Sequence, residues 1–447
     1  MRTLFLILAS LALSRAVFAA DEASAPLSLP APMSNNIVYV PGSSHKICQL
    51  TGEMDRQLHK PTFNQTRTRF GLVAVDLGYS FEHNGKLFFL FGDAAPSPKF
   101  NGKPNGQNDP PRLRDDNDAI GFTSDTSVGQ CLRLDFVRNT NGAYKNPVVQ
   151  NAQGQSAITL RTNEMPIAGI SQSARMYVIF GTDNEAANPE APGAAKNLHS
   201  GPTRAVMAVS NDDASTFHFL YDFSRGPSAK FIKTTISRSD DGYLYFWGTP
   251  GGLLMRHTPP YFARKRADLV DQPGGMDYFA GLSPDGKPRF SASEADAFPL
   301  FLDYEGTGSE PHNCTGDPSV EWNRFVRRWV MLYLCTNYTR TNPGGIYMRF
   351  AEQPWGPWSL PQTIFNAKRD GGLCQFIHRA VSPGNPACDD LSPPARLGVQ
   401  GGEYGPYIMS RFTTGEEARA TSTFYYTMST WNPYTQVIMK TTIQRSP

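Results

Sequence analysis

The sequence predicts an all-β protein, a five-bladed β-propeller, and two observations lead to that prediction. At five places a polar residue opens a short apolar strand that runs into a turn and a second strand; these residues are Asp76, Glu164, Lys233, Asp317 and Glu403. The core of about 370 residues then divides into five units of roughly 75, and radial repetition of small antiparallel sheets is how propellers are built. Two separate β-sandwiches are the alternative.

The strands of each unit are indicated by alternating apolar residues, by β-branched and aromatic side chains, and by Gly, Asn or Asp at the turns. Residues 83–85 and 240–242 are predicted turns, and residues 261–270 are the best candidate for a helix. The predicted strands, unit by unit, are 77–81 and 86–91; 167–171, 175–181, 204–210 and 217–223; 231–237 and 243–248; 319–322, 329–335 and 345–351; and 407–412, 422–429 and 436–442.

The N-terminus predicts export. Residues 1–20 have a positive start at Arg2, an apolar stretch over 4–13 and small residues before the end, which is typical of a cleaved signal peptide. The apolar stretch is too short to cross a bilayer, so no membrane partner is expected. Residues 21–40 predict a flexible lead-in, and 41–447 a single propeller domain, secreted or periplasmic.

The charge balance argues against two classes of partner. The chain has 42 basic and 40 acidic residues, and removal of Arg2 and Arg15 with the signal peptide leaves 40 of each. A nucleic-acid or anionic-membrane partner calls for a basic face, which a neutral chain does not favour. Aromatic residues make up 12% of the chain and charged residues 18%, a composition that suits stacking on a polysaccharide partner.

The cysteines predict disulfides, because six are present in an exported chain. One pair of cysteines flanks a predicted hairpin, and a second pair flanks a Gly/Pro-rich loop. The two remaining cysteines are assigned to each other. The predicted bonds are Cys314–Cys335, Cys374–Cys388 and Cys48–Cys131. No CxxC or His-rich spacing indicates zinc.

The carboxylates that open inner strands predict acid/base chemistry on a neutral sugar, because the inner strands of a propeller converge at one mouth of its channel. Asp76 and Asp93 form the first pair; Asp76 lies inside Val-Ala-Val-Asp-Leu, and Asp93 ends the next strand after a glycine. A turn-capping role is the alternative for Asp93. Asp317 and Glu403 are further catalytic candidates, with a hydrogen bond at a strand end or a loop ion pair as the alternative.

Other polar residues receive lesser roles. Glu164 is a weak candidate for the ring of acids, and Lys233 is expected to be exposed. Asp116 and Asp118 follow the first long loop and are candidates for binding sugar or a structural calcium, although a solvated turn is favoured because no EF-hand spacing is present. No cofactor is otherwise expected, and His312 is a minor candidate.

Four aromatic residues are candidates for stacking on sugar faces. Trp322, Tyr404 and Trp431 are assigned to substrate binding, and Trp247 is considered with them because all four lie near strand ends. Burial in the core is the alternative for most of them, because aromatic side chains dominate buried area.

The order of several short motifs resembles the DUF4185 family over roughly residues 45–443. These motifs are NQT (64–66), VDLG (75–78), FLFGD (89–93), MDYFAG (276–281), DGKP (285–288) with Ala297, SVEWN (319–323), YGPY (404–407) and YTMSTWNPY (426–434). The resemblance implies a five-bladed propeller. It also implies activity like that of the endo-D-arabinanases of glycoside hydrolase family 183, which cut D-arabinofuranose polymers of mycobacterial arabinogalactan and lipoarabinomannan.

Three positions depart from the family pattern. Val75 and Ala94 stand where threonine is frequent, and Asp317 stands where glutamate is usual. The expected function is therefore a secreted, endo-D-arabinanase-like glycoside hydrolase. The alternatives are a sugar-binding propeller without catalysis and a glycosidase for another furanoside polymer.

Overall fold

The computed structural model describes most of the chain from residue 29 onward. The predicted signal peptide, residues 1–20, lies outside the described residues. No helix within the described part has both the length and the apolar character needed to cross a bilayer. The described residues are 29, 31–34, 36–97, 99–100, 103–104, 117–184, 201–226, 228–251, 258–302, 314–335, 345–392 and 396–446.

Strands dominate the described residues. One short α-helix, α1 (Thr66–Phe70), accompanies them, with 3₁₀ turns at Ala267–Leu269, Glu294–Asp296, Ser410–Phe412 and Glu417–Arg419. The strands are β1 (Ile37–Tyr39), β2 (His45–Gln49), β3 (Met54–Asp55), β4 (Lys60–Pro61), β5 (Leu72–His83), β6 (Lys86–Pro96), β7 (Lys99–Phe100), β8 (Lys103–Pro104), β9 (Ala119–Thr123), β10 (Asp135–Phe136), β11 (Val149–Gln150), β12 (Met165–Gln172), β13 (Arg175–Thr182), β14 (Arg204–Ser210), β15 (Phe217–Arg225), β16 (Lys233–Arg238), β17 (Tyr243–Thr249), β18 (Tyr261–Arg266), β19 (Met276–Leu282), β20 (Pro288–Ser291), β21 (Gly316–Asn323), β22 (Arg328–Cys335), β23 (Gly345–Ala351), β24 (Gln362–Phe365), β25 (Gly402–Ile408), β26 (Thr414–Glu416), β27 (Thr421–Trp431) and β28 (Thr435–Arg445).

Five of the sheets form the blades of a propeller, as predicted. From the inner strand outward, the first four blades are β5-β6-β9-β10, β12-β13-β14-β15-β11, β16-β17-β18-β19-β20 and β21-β22-β23-β24. The fifth blade is β25-β27-β28-β1, with β2 also paired to β28 and β26 to β27. The pairings are antiparallel apart from β11 with β15. Two small hairpins, β3-β4 and β7-β8, lie apart from the blades.

The inner strands enclose one central axis. β5 lies beside β12, β12 beside β16, β16 beside β21, β21 beside β25, and β25 beside β5 again. The ring closes because the N-terminal strands β1 and β2 pair with the C-terminal strand β28. The lead-in predicted over residues 21–40 is therefore wrong at its end: Ile37–Tyr39 is an ordered strand, and the propeller begins at least four residues earlier than residue 41.

Hydrophobic clusters fill the spaces between neighbouring blades. One large cluster joins the first three blades, and separate clusters join the third to the fourth, the fourth to the fifth and the fifth to the first. Each inner strand is thereby covered on both faces, so its residues are almost continuously buried. Trp247 belongs to this core; it is fully buried and donates its indole N–H to the carbonyl of Pro354 at 2.8 Å.

Local turn chemistry agrees with the predicted hairpins. Asn84 and Gly85 adopt positive φ angles of 47° and 77° between β5 and β6, the conformation that an Asn-Gly hairpin favours. The predicted helix over 261–270 is wrong: Tyr261–Arg266 is the third strand of a blade, paired on both sides, and only Ala267–Leu269 is helical. Pairing with two neighbouring strands overrides the local pattern here.

The three predicted disulfides are present. Cys48 is bonded to Cys131, and the other two bonds are Cys314–Cys335 and Cys374–Cys388. Cys48 lies in β2 of the closing blade, and Cys131 lies between β9 and β10 of the first blade. The bond therefore links the two blades that meet where the ring closes.

We expect loss of this bond to destabilise the protein more than loss of a local one. It closes a loop of 83 residues, whereas Cys374–Cys388 closes one of 14. Chain entropy predicts losses of roughly 4.5 and 3 kcal/mol for the double alanine variants. Chemical unfolding of both variants measures the free energies; a smaller loss for Cys48→Ala/Cys131→Ala than for the local pair would contradict the expectation.

Candidate active site

Three of the predicted catalytic carboxylates meet at one mouth of the channel. Asp76 lies near the start of β5, and Asp93 lies near the end of the antiparallel β6, so the hairpin brings both to the same end. Asp317 is the second residue of β21, and its charge acts on Asp76. Asp118, just before β9, joins them. We call the mouth that these four buried residues surround the first mouth.

The backbone at the first mouth is irregular. Leu77, Asp93 and Asp317 adopt positive φ angles of 59°, 40° and 45°, and the pairings of β5 and β21 shift register close to these residues. Such bulges redirect side chains. A positive φ at a residue other than glycine costs on the order of 1–3 kcal/mol and is frequent at functional sites. The irregularity thus marks this end of the propeller as a candidate site.

The carboxyl group of Asp76 has one held oxygen and one free oxygen. Its Oδ2 accepts hydrogen bonds from the hydroxyls of Tyr434 at 2.8 Å and Tyr404 at 3.3 Å. Its Oδ1 is buried with no hydrogen-bond partner among the described residues. This atom lies over Gly92, where a Cβ would come within 2.8 Å of it. The free oxygen is therefore the one available to a substrate or to water.

Burial raises the pKa of Asp76 to about 6. The hydrogen bond from Tyr434 and the positive charge of Lys233 oppose that rise, and the charge of Asp317 adds to it. Asp76 is consequently ionised for the most part at neutral pH. Its carboxylate is a base or nucleophile at that pH.

Asp118 is more deeply buried than Asp76. Asp118 is 1% exposed, and the backbone of Asp93 is the hydrogen-bonding group near its carboxyl oxygens. Burial, followed by the charges of Asp93 and Asp76, holds its pKa well above the usual range. Burial thus favours the protonated form of the Asp118 carboxyl group. Beside it, Asp93 accepts a hydrogen bond from the backbone N–H of Asn163 at 2.8 Å.

Lys233 lies within the first mouth, which corrects the expectation that it is exposed. Lys233 is the first residue of the inner strand β16, and it is buried, with 5% of its surface accessible. Its Nζ lies 3.8 Å from Oδ1 of Asp317 and 3.9 Å from Sδ of Met165. A buried lysine needs an anionic partner, and the carboxylates of this mouth provide one.

Glu164 lies next to this cluster, because its charge acts on Asp118, whereas Glu403 lies apart from it. The two oxygens of Glu164 accept backbone N–H groups of Arg161 at 2.8 Å and Asn184 at 2.7 Å, which is a turn-stabilising arrangement. Glu403 precedes Tyr404 on β25 and so projects from the opposite face. Its Oε1 accepts the N–H of Ala367 at 2.9 Å, and burial raises its pKa to about 8.

The predicted aromatic residues divide between the two ends of the channel. Tyr404 lies at the first mouth, and so does Trp431, whose ring packs edge-on against Tyr434 with centroids 5.7 Å apart. Trp322 lies five residues beyond Asp317 along β21, about 16 Å away at 3.3 Å per residue. The structure therefore does not bring Trp322 to the carboxylates.

Two minor candidates and the calcium hypothesis remain predictions. Asp116 and His312 lie outside the described residues. Within the described part of the chain, the one group placed closely enough to hold a metal comprises Cys374, Cys388 and Asp389. Its cysteine sulfurs are joined in a disulfide, and a thiolate is what binds a metal.

Tyr434→Phe is expected to raise the pKa of Asp76 above 6, by roughly one pH unit, because the variant loses a hydrogen bond that stabilises the carboxylate. Carboxyl ¹³C NMR of aspartate-labelled protein measures the pKa, with Asp76→Asn identifying the resonance. Tyr404→Phe is the matched control and should produce a smaller rise, since its bond is longer. An unchanged pKa of Asp76 in Tyr434→Phe would contradict the role given to the hydrogen bond at Oδ2.

Glu403→Gln is expected to alter the pH dependence of stability. The pKa of Glu403 rises from 4.5 to about 8 on folding, so the folded state holds the proton more tightly than the unfolded chain. This group's contribution to stability therefore falls as pH rises from about 4.5 to about 8.

The stability of Glu403→Gln relative to wild type should consequently increase across that window, on the order of a few kcal/mol. Denaturant unfolding at a series of pH values measures the difference. The exposed residue Glu417, changed to Gln, is the control and should show no such trend. A constant difference between Glu403→Gln and wild type would contradict the burial argument.

Comparison with solved structures gives distant likenesses. A thermostable family-43 glycoside hydrolase is 13% identical, with 83% of this chain and 95% of that chain covered and a TM-score of 0.42. The GH43_1 enzyme from Xanthomonas citri is 12% identical over 83% and 87%, with a TM-score of 0.39. A protein of unknown function from Dyadobacter fermentans is 10% identical over 91% and 100%, with a TM-score of 0.38. At these TM-scores the fold assignment rests on the strand pairings alone.

The family comparison is more extensive. No curated protein matches the chain. The family described as a domain of unknown function (DUF4185) matches residues 62–440, which spans all five inner strands. The chain is therefore a member of the DUF4185 family.

Proposed function

We propose that the protein is a glycoside hydrolase that cleaves D-arabinofuranosyl linkages in D-arabinan of the mycobacterial type. The observation that supports it is the meeting of four buried carboxyl groups at the first mouth, those of Asp76, Asp93, Asp118 and Asp317. The pKa of Asp76 is raised to about 6, so this group is mainly ionised at neutral pH, whereas burial holds the pKa of Asp118 well above its usual range. Glycoside hydrolysis requires one carboxylic acid and one carboxylate on either side of the bond that breaks.

In the proposed reaction, Asp93 and Asp118 share one proton, and Asp93 donates it to the glycosidic oxygen as the bond from that oxygen to the anomeric carbon breaks. The free Oδ1 of Asp76 removes a proton from the water that attacks the same carbon, so that the anomeric configuration inverts. Tyr434 and Tyr404 fix the other oxygen of Asp76. The negative charge of Asp76 favours retention of the proton that Asp118 and Asp93 share, because a nearby anion raises the pKa of a carboxyl group.

The substrate class rests on the resemblance to the D-arabinanases and on the neutral charge balance of the chain. Two departures from the family pattern do not alter the site directly, because Val75 and Ala94 are fully buried in the cluster between the first and fifth blades. The third, Asp317, keeps a carboxylate and is paired with Lys233. Trp431 packs against Tyr434, the residue that holds Asp76, and is proposed to contact the sugar chain together with Arg396, which lies over its ring at 4.7 Å.

Export is part of the proposal. Three disulfides in a chain without a free cysteine are typical of an oxidising compartment outside the cytoplasm. A polysaccharide too large to enter a cell would be met there.

The mature chain is expected to release arabino-oligosaccharides from mycobacterial arabinogalactan. Asp76→Asn and Asp93→Asn should each lower the rate by roughly 10²- to 10⁴-fold, because each removes a proton-transfer group. Chromatography of the products measures the release. Asp240→Asn, on an exposed hairpin turn, is the matched control and should be fully active.

Two other outcomes would overturn the proposal. Undiminished release by both active-site variants would transfer the catalytic role to other residues. Binding of the polymer without any release by the wild-type chain would indicate a sugar-binding propeller.

A further inference from the structure

A cavity lies at the end of the channel opposite to Asp76. Its volume is about 470 Å³, and the C-terminal parts of the inner strands line it. Tyr79 separates it from the first mouth: its side chain crosses the axis from β5 to β16, donates to the carbonyl of Ile236 at 2.7 Å and packs edge-on against Tyr407. We call this cavity the second mouth.

The second mouth combines an apolar floor with polar walls. Ile170, Ile236 and Ile408 contribute aliphatic surface, and several hydroxyl groups surround it, among them those of Ser237 and Ser410. A sugar presents the complementary surface, with C–H groups on its faces and hydroxyls at its edge. The lining thus suits a small polyhydroxylated ligand.

The charges of the second mouth balance. Arg411 is paired with Glu82 by a two-nitrogen salt bridge at the rim. Of the other titratable lining residues, His83 contacts Asp213, and Arg238 at the rim and Glu321 in the wall provide one group of each sign. A balanced lining that offers both donors and acceptors favours a neutral ligand over an anion or a cation.

No structural role is evident for Glu321 among the described residues. It makes no salt bridge within the described residues, and its nearest polar partners are the hydroxyls of Ser410 and Ser237. Burial raises its pKa to about 7. A carboxyl group taken from water without a cation destabilises a fold, and groups that destabilise a fold are frequently retained for binding.

The next residue on the strand provides a platform at the rim. Trp322 is 43% exposed, and its ring is held edge-on against Trp329 with centroids 5.5 Å apart. A smaller cavity lined by Glu321, Trp322 and Ser410 adjoins the second mouth. The sequence assigned Trp322 to sugar binding, and the structure places it beside this cavity instead of the carboxylates.

We propose that the second mouth is a non-catalytic binding site for a neutral sugar residue, with Glu321 and the serine hydroxyls on its hydroxyl groups and Trp322 beside the next sugar. The identity of the sugar, a pentose of the substrate, rests on the proposed function. The existence of the binding site is independent of that function. Such a site would hold a distant part of the polymer, or a released product, on the far side of the propeller.

Calorimetric titration of the mature chain tests the proposal, with D-arabinose, D-xylose, D-galactose and D-glucose as separate probes. At least one sugar should bind with one-to-one stoichiometry, equally well to wild type and to Asp76→Asn. Glu321→Gln and Ser410→Leu should each weaken that binding at least tenfold. Because Ser410 is exposed, its substitution is tolerated by the fold and keeps the test valid if Glu321→Gln folds poorly.

Thermal unfolding of the same variants separates binding from structure. Glu321→Gln should unfold at the same temperature as wild type or higher, since a partly buried carboxyl group without a cationic partner is replaced by a neutral amide; a structural glutamate would give a lower temperature. Binding that Asp76→Asn abolishes, binding unaffected by both second-mouth variants, or no binding of any of the four sugars would overturn the proposal. Hydrolysis of arabinogalactan by the same preparations reports on the first mouth alone.

Discussion

Closure of the ring is the constraint on which the candidate active site depends. The hydroxyl of Tyr434 and the carboxyl of Asp76 are 358 residues apart in the chain, yet 2.8 Å apart in the structure. They meet because β1 and β2 pair with β28, which fixes the fifth blade beside the first. The Cys48–Cys131 bond joins the same two blades. A propeller that failed to close would keep the Asp76–Asp93 hairpin but lose the tyrosine that holds Asp76.

Burial of acidic groups is the second theme. Asp76, Asp118, Glu321 and Glu403 all have pKa values raised by burial in the first place. Each of these groups makes the folded state less favourable at neutral pH, and the left-handed backbone at Asp93 and Asp317 adds to that. The hydrophobic clusters between blades offset the loss. The acids are therefore better explained by the chemistry they permit than by stability, although Glu403 lies away from the first mouth.

The sequence predicted those parts of the fold and site that depend on local order. Strands, Asn-Gly and Asp-Gly turns and disulfides follow from short patterns, and the meeting of Asp76 with Asp93 follows from one hairpin. The position of Lys233 depends on which face of β16 turns inward, and that of Trp322 on its distance along β21; neither is a local property. The contact of Tyr434 with Asp76 could be predicted only with knowledge of which strands close the ring. The strand at 261–266 looked helical because its pairing partners lie in other segments.

The most direct test of the central claim is a crystal structure of Asp76→Asn soaked with a D-arabinofuranose oligosaccharide. We predict that the sugar chain crosses the first mouth, with a glycosidic oxygen within hydrogen-bond reach of Asp93 and the anomeric carbon facing the side chain at position 76. An oligosaccharide bound only at the second mouth or on the outer surface of the blades, with the first mouth holding none, would contradict it.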